Sequence, residues 1–355
     1  MEYTLQNGPD GKATRVVIGG SAFNELKKLA EGHTKIALIT DKQTDKHCFK
    51  KLHPYLPTAE KIILPDGEAI KSLARVEDTL KHLRESGFDR KSLIIGLGGG
   101  VVNDLAGFCA STYMRGIDWV MIPSTLTAQA DASIGGKTGV NLGGYKNMVG
   151  SFWPSRAVLI NPVLLETLPK EHLMNGLAEI IKMGFIYDPQ ILEHVSRLDP
   201  AKLLGDDLDT ASRLAARGKI EIVNTDPYEA GGRKLLNFGH TVGHALEAIS
   251  MDGDKPLLHG EAISIGMAAE TKLAELESVC APGLSAKVKQ TLKRFGLPVA
   301  YPHASLEDIL GKITSDKKNV GGAIRWTLPE NEGRGVYDHE ADEENIKTAI
   351  GSILS

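Results

Sequence analysis

The stretch SLIIGLGGGVVNDLAG, residues 92–107, limits the fold more than any other part of the chain. An apolar run with no polar alternation enters three consecutive glycines, and a helical pattern follows. A strand of that kind is covered on both faces, which is the habit of a parallel sheet with crossover helices. The glycines let backbone N–H groups approach a bound phosphate, and the helix N-terminus behind them favours negative charge. Asp104 falls in the first turn of that helix, suited to capping or to a ligand hydroxyl. The turn is not the GxGxxG fingerprint, because Val101 stands where the last glycine belongs. On this motif alone a tight strand-to-helix turn without any ligand is an equal reading.

The neighbouring segments repeat the alternation. KIALIT (35–40), KIILP (61–65), WVMIP (119–123) and AVLINP (157–162) read as strands, and IKSLARVEDTLKHLRESG (70–87) as a helix that ends in glycine. From about residue 166 the pattern becomes helical, in KEHLMNGLAEIIKMGFI, LDTASRLAARGKIEIVN, HGEAISIGMAAETKLAELES and SAKVKQTLKRFG, with IRWTLP (324–329) as the one strand. With 355 residues, two domains are expected, an α/β domain over 1–165 and an all-α domain over 166–355. A cleft between two such domains is a natural place for a ligand.

Composition enters mainly through what it excludes. A formal net charge of −4 argues against a general nucleic-acid binder, which needs a basic surface to neutralise phosphates. It leaves room for an anionic small molecule held in a locally basic pocket. Cys48, Cys109 and Cys280 are odd in number, far apart and without a CxxC, as expected of free thiols in a reducing cytoplasm. The polar start MEYTLQNGPDGK has no signal-peptide apolar region, and no run approaches the roughly 18–20 apolar residues of a membrane span.

The segment KLLNFGHTVGHALEA (234–248) carries the densest polar chemistry. Read as one helix from Arg233 to Glu247, it puts Arg233, Asn237, His240 and His244 at i, i+4, i+7 and i+11, a single stripe on an apolar body. Gly239 and Gly243 weaken such a helix by about 1 kcal/mol each relative to alanine, which a close backbone approach would justify. Histidines at i and i+4 can ligate one metal, and Glu179 or His259 could complete the set. Thr241 stands where a zinc protease of the HExxH type needs glutamate, which argues against that chemistry. Two hydrogen-bonded core histidines remain the plainer alternative. GGKT (135–138) is not a P-loop, since Asp131 occupies the place of the required glycine. It belongs to a glycine-rich loop over 133–147 that holds Lys137 and Lys146, either a surface excursion or the wall of a site. Lys182, Lys219 and Arg233 near the histidines, with Lys317 and Lys318 in SDKKN, suggest a substrate carrying more than one anionic group.

Nine short stretches in order make a more specific pattern: PDGEAIKSL, GLGGGVVNDLAGF, YMRGIDWVMIPSTL, DASIGGKTGVN, YKNMVGSF, LETLP, GLAEIIK, DPYEAGGRKLLNFGHTVGHALEA and LLHGEA. Between residues 65 and 318 the chain resembles the 3-dehydroquinate synthase family of sugar phosphate cyclases. GGKTGVN sets this family apart from cyclases acting on other sugar phosphates. The resemblance implies a Rossmann-like N-terminal domain and a helical C-terminal domain, a fold related to iron-containing alcohol dehydrogenases. It implies NAD and a divalent metal, zinc or cobalt, in a cytoplasmic homodimer that converts 3-deoxy-D-arabino-heptulosonate 7-phosphate to 3-dehydroquinate and phosphate. The route is transient oxidation, phosphate elimination, re-reduction and intramolecular aldol closure, and the enzyme is a carbon–oxygen lyase.

Carried over residue by residue, the metal ligands are Glu179, His240 and His259, while His244 faces the leaving phosphate. Lys137, Asn147, Asn237 and one of Lys317 and Lys318 match phosphate or substrate binders. Lys182, Lys219 and Arg233 match residues around the substrate hydroxyls and carboxylate, and Asp131 and Glu229 match polar catalytic groups. Arg115 matches an arginine that serves the neighbouring subunit. Cofactor contacts fall at Asp41, Glu68, Lys71, Gly99, Gly100, Val101, Asp104, Ser124, Thr125, Lys146, Thr167 and Leu168. Asn103, Ser124, Thr127 and Pro227 depart from the family pattern close to the cofactor loop, and they bear on cofactor affinity more than on the reaction. An NAD-dependent metal polyol or alcohol dehydrogenase, another sugar phosphate cyclase, and a non-catalytic metal- or nucleotide-binding protein are the competing readings. A dehydrogenase would accumulate NADH and has no need of the lysine-rich phosphate set.

Overall fold

The computed structural model of the chain describes residues 1–6, 13–56, 58–143, 145–251, 253, 255–317 and 324–355. Through residue 160 the elements run β1 (Glu2–Leu5), β2 (Thr14–Ile18), α1 (Glu25–Ala30), β3 (Ile36–Asp41), α2 (Lys42–Leu52), β4 (Glu60–Leu64), α3 (Leu73–Glu85), β5 (Leu93–Gly98), α4 (Gly100–Thr112), β6 (Asp118–Pro123), β7 (Lys137–Leu142), β8 (Tyr145–Phe152) and β9 (Ala157–Ile160). Seven strands make one sheet in the order β1-β2-β9-β6-β5-β3-β4. All pairings from β2 to β4 are parallel, and β1 joins antiparallel at the edge. Strand β5 is buried at every position, as its unbroken apolar run requires. Leu38, Leu93, Ile95, Val120, Ile122 and Leu159 from the sheet pack with Phe23, Leu26 and Leu52 from the helices. Each such side chain contributes about 1.5–3 kcal/mol relative to exposure. The parallel arrangement brings the carboxyl ends of β3, β4, β5, β6 and β9 to one edge, where an open α/β sheet binds ligands.

The glycine-rich stretch read as a loop over 133–147 is largely a hairpin. Strands β7 and β8 pair antiparallel, with an irregularity between Val140 and Leu142. Thr138, Gly139 and Val140 are buried while Leu142, Met148 and Phe152 are exposed.

The chain divides into two compact units, Met1–Pro169 with Lys219–Pro227, and Lys170–Gly218 with Tyr228–Ser355. The later elements are α5 (Lys170–Ile186), α6 (Gln190–Arg197), α7 (Asp206–Thr225), α8 (His240–Ser250), α9 (His259–Leu276), α10 (Leu284–Arg294), α11 (Leu306–Lys317), β10 (Trp326–Asn331), β11 (Arg334–His339) and α12 (Glu343–Gly351). The strand expected at IRWTLP pairs with β11 in a hairpin, so the helical unit also carries this one ribbon among its described residues. Helix α9 is buried along most of its length, including Ile263, Ile265, Met267 and Leu273.

The single helix expected from Arg233 to Glu247 is instead broken. Gly232–Asn237 is a 3-10 segment, and α8 starts afresh at His240. Gly239 between them has φ 80°, a left-handed backbone that helical periodicity cannot register. The four-residue stripe therefore does not exist as one helix face, and only His240 and His244 keep their i, i+4 relation. A Cβ at Gly266 of α9 would run into the Gly239 carbonyl oxygen, with its carbonyl carbon at 2.8 Å and the Gly243 nitrogen at 2.9 Å. Glycine at 266 lets α8 and α9 lie backbone against backbone.

Candidate active site

Three helices supply one group of donor atoms. Glu179 comes from α5, His240 is the first residue of α8, and His259 is the first residue of α9. Glu179 Oε1 stands 3.7 Å from His240 Nε2 and 3.2 Å from His259 Nε2. Each of the three residues offers a donor atom within 4.8 Å of the others. Zinc bonds of about 2.1 Å at tetrahedral angles separate ligand atoms by about 3.4 Å. The two measured distances straddle that spacing, so a divalent ion fits. His240 Nδ1 faces the Phe238 carbonyl at 3.1 Å, which fixes its proton there and leaves Nε2 free as a donor.

Charge is arranged to match. Lys182, one turn beyond Glu179, is 1% exposed, with Nζ 2.5 Å from Glu179 Oε2 and hydrogen-bonded to the Leu236 carbonyl at 2.9 Å. The approach to Oε2 is an ion pair outside hydrogen-bond geometry, and that buried oxygen has no hydrogen-bond donor. Burial alone would raise the Glu179 carboxyl; the Lys182 ammonium, with His259 and His240, instead holds it well below the usual carboxylate range. Burial, reinforced by Lys182, holds the His240 imidazole well below its ordinary value, in the neutral form a metal needs. Burial would also lower His259, but without a metal, hydrogen bonding to Glu179 and Glu247 overcomes it and raises the ring to about 10, so an ion binding here displaces the Nε2 proton.

His244 is exposed, its ring centroid 5.1 Å from that of His240 and 6.0 Å from that of His259. It lies beside the donor group without joining it. His244, Glu247 and His259 form a second group with donor atoms within 4.8 Å. Asn237 Nδ2 donates to Glu229 Oε1 at 2.9 Å, and Arg233 is buried in the same 3-10 segment.

In the first unit, the expected cofactor positions share the carboxyl edge of the sheet. Asp41 ends β3, Glu68 and Lys71 follow β4, Gly99, Gly100 and Val101 follow β5, and Asp104, the fifth residue of α4, lies just past the first turn expected for it. Ser124 and Thr125 follow β6, and Thr167 and Leu168 follow β9. Helix α4 has no side-chain cap at Gly99, so its first-turn N–H groups can meet a dinucleotide pyrophosphate. Asn103, at 2% exposure, donates from Nδ2 to the Gly98 carbonyl at 2.8 Å and so braces this turn from below. Ser124 N donates to the same carbonyl at 2.8 Å. Lys71 Nζ reaches Asp104 Oδ2 at 2.6 Å and also Asn147 Oδ1. Burial pushes the Asp104 carboxyl up, with Lys71 opposing it. Lys219 Nζ, nearly buried, bonds Asp131 Oδ1 at 2.7 Å and the Asp131 carbonyl at 2.9 Å.

Lys137 begins β7 and is exposed, as are Lys146 and Asn147 on β8. Arg115 sits on the turn after α4, roughly 20 Å from the glycine turn at that helix's other end. Lys317 is the last residue of α11, and Lys318 lies outside the described residues. Arg115, Asn147 and Glu229 have φ of 70°, 55° and 62°, a left-handed backbone costly for non-glycine residues and frequent where a site demands it.

Three residues escaped the sequence reading. Asn141 donates to Glu68 Oε1 at 2.8 Å and accepts from Asn147 N at 2.9 Å, tying the β4 connection to the hairpin. Glu270, fully buried on α9, accepts from Gly239 N at 2.6 Å and Val242 N at 3.0 Å, replacing the absent cap of α8. Glu247 Oε2 stands 3.5 Å from His259 Nδ1. A lone acid closing the apolar run AISIGMAAE, and Glu247 three residues past His244, were the available signals.

Comparison with known proteins identifies the family and the fold. Profiles described as 3-dehydroquinate synthase N-terminal and C-terminal match residues 61–175 and 176–319. A 3-dehydroquinate synthase from Alkaliphilus metalliredigens is 40% identical over 344 residues, 96% of each chain. The 2-epi-5-epi-valiolone synthase of Streptomyces hygroscopicus subsp. jinggangensis, solved with NAD+ and Zn2+, superposes with TM-score 0.87 at 27% identity over 98% of each chain. A 2-deoxy-scyllo-inosose synthase, solved with carbaglucose-6-phosphate, NAD+ and Co2+, superposes with TM-score 0.88 at 22% identity over 100% of each chain. With both profiles spanning most of its length and relatives this similar, the chain belongs to the 3-dehydroquinate synthase family.

Proposed function

We propose that this chain converts 3-deoxy-D-arabino-heptulosonate 7-phosphate to 3-dehydroquinate and inorganic phosphate, a carbon–oxygen lyase reaction with no net redox change. The observation that carries the reading is the donor set of Glu179, His240 and His259, at the spacing of a catalytic metal with positions left open. The solved cyclases bound to NAD+ with Zn2+ or Co2+ support a dinucleotide on the α4 turn and a divalent ion on this donor set. When bound, the dinucleotide supplies reversible redox capacity and the ion supplies Lewis acidity.

The remaining work belongs to side chains. Lys182 keeps Glu179 anionic, and the Phe238 carbonyl keeps His240 in the tautomer that offers Nε2. His244, exposed beside the donor set, is placed to exchange a proton at the departing phosphate. Lys137 and Asn147 of the first unit, and Asn237 and one of Lys317 and Lys318 of the second, are the candidates to bind phosphate or substrate, and Lys219 and Arg233 those to bind the carboxylate and hydroxyls, with Asp131 and Glu229 orienting Lys219 and Asn237. Such clamps fix one sugar through several chemical steps. Asp41, Glu68, Lys71, Asp104 and the strand-end residues of the first unit orient the dinucleotide.

A homodimer is part of the proposal. Arg115 lies past the C-terminal end of α4, away from the glycine turn of its own chain, and its neighbour in sequence, Met114, is exposed. Buried free Cys48, Cys109 and Cys280 suit a reducing cytoplasm. No helix among the described residues is long and apolar enough to cross a membrane. The test is incubation of zinc-loaded protein with sub-stoichiometric NAD and the heptulosonate phosphate. Equal amounts of phosphate and dehydroquinate without accumulating NADH are expected. Stoichiometric NADH, or no phosphate, overturns the assignment.

A further inference from the structure

His259 is addressed from both ring nitrogens. Nε2 stands 3.2 Å from Glu179 Oε1 and Nδ1 stands 3.5 Å from Glu247 Oε2. Glu247 is 6% exposed, on α8 two turns after His240, in a setting where a carboxylate must be paired. His240 has a comparable arrangement, with Nδ1 on the neutral Phe238 carbonyl. The two histidines thus present Nε2 toward Glu179 and rest Nδ1 on acceptors of different charge.

We propose that Glu247 is a positioning residue for His259: its carboxylate accepts the Nδ1 proton, fixes the tautomer with the Nε2 lone pair toward Glu179, and strengthens that nitrogen as a donor. This rests on the reading that Glu179, His240 and His259 hold the metal. A neutral imidazole has one lone pair, so His259 cannot serve that group and the His244–Glu247–His259 group at once. The nearness of Glu247 to Nδ1 is then the orienting contact, because a carboxylate behind a ligating histidine sets both ring orientation and basicity.

The test uses full-length protein stripped of metal, as wild type and as the Glu247→Gln, Glu247→Ala and His244→Ala variants. Zinc stoichiometry and affinity are measured by competition with a chromophoric chelator, and the cobalt-loaded forms are compared by visible absorption. One ion per chain is expected in wild type. Glu247→Ala should lose about 10- to 100-fold in affinity and alter the cobalt spectrum. Glu247→Gln, whose amide oxygen still accepts from Nδ1, should recover part of the loss, and this variant keeps the test open if the alanine form misfolds. His244→Ala should keep wild-type affinity. Wild-type affinity and spectrum in Glu247→Ala would overturn the positioning role. Equal loss in His244→Ala and Glu247→Ala would make Glu247 a ligand instead, and also overturn it. A wild type that binds no zinc would defeat the metal reading itself, a result distinct from either.

Discussion

Replacing Gly266 with alanine tests whether helix contact sets the donor geometry. The added Cβ would lie 2.8 Å from the Gly239 carbonyl carbon and 2.9 Å from the Gly243 nitrogen, besides meeting the Gly239 oxygen. These are backbone atoms and cannot rotate away. Relaxed carbon–carbon contact needs about 3.5 Å, so the helices must separate by about 0.7 Å or more. The residue after Gly239 is His240, while His259 rides on α9 itself. The separation therefore falls directly on the distance between two donors, where a site tolerates about 0.2 Å. Overpacking should lower stability by about 1–3 kcal/mol, and zinc affinity should fall by at least roughly tenfold, as when a ligand loses its orienting partner. Urea unfolding and chelator competition read the two effects. The control is Gly311→Ala on α11, where a Cβ meets nothing within 4 Å; it should stabilise by about 0.4–1 kcal/mol and leave zinc binding alone. Unchanged stability and zinc affinity in Gly266→Ala would refute the reasoning.

Other outcomes follow from single groups. Glu270→Gln trades one of two buried acceptors for a donor facing a backbone N–H, and should cost about 1.5–3 kcal/mol in urea unfolding. Asn141→Ala unties Asn147 from Glu68, and should weaken dinucleotide binding by about 1–2 kcal/mol, roughly five- to thirtyfold, in equilibrium dialysis. Burial raises the Cys109 thiol from 9.0 to about 12. The folded chain keeps that proton while the unfolded chain loses it near pH 9, so the contribution is full below pH 9 and lost as pH rises toward 12. About 4 kcal/mol is at stake, and Cys109→Ala should show a correspondingly flatter fall of stability over that interval.

The parallel sheet was readable because β3, β5, β6 and β9 are buried on both faces and therefore apolar without alternation. The hairpin of β7 and β8 was not, because its glycines and exposed Lys137, Lys146 and Asn147 have the composition of a loop. Periodicity also failed at Gly239, where one left-handed residue ends a pattern that continues in the letters. Spacing offered His240 and His244 as a ligand pair, yet it is His259, nineteen residues after His240 in sequence, whose Nε2 meets Glu179 beside His240. Only the packing of three helices decides that, and the family resemblance supplied what spacing left open. Glu247, Glu270 and Asn141 act through contacts with groups far away in sequence or through backbone atoms, which no local pattern records.

The division of labour between His240 and His244 is tested most directly by anomalous diffraction at the zinc edge from crystals of the loaded protein. One peak about 2.0–2.2 Å from Glu179 Oε1, His240 Nε2 and His259 Nε2, with His244 beyond bonding distance, is the predicted result. A peak bonded to His244 and Glu247, or none beside Glu179, would contradict it.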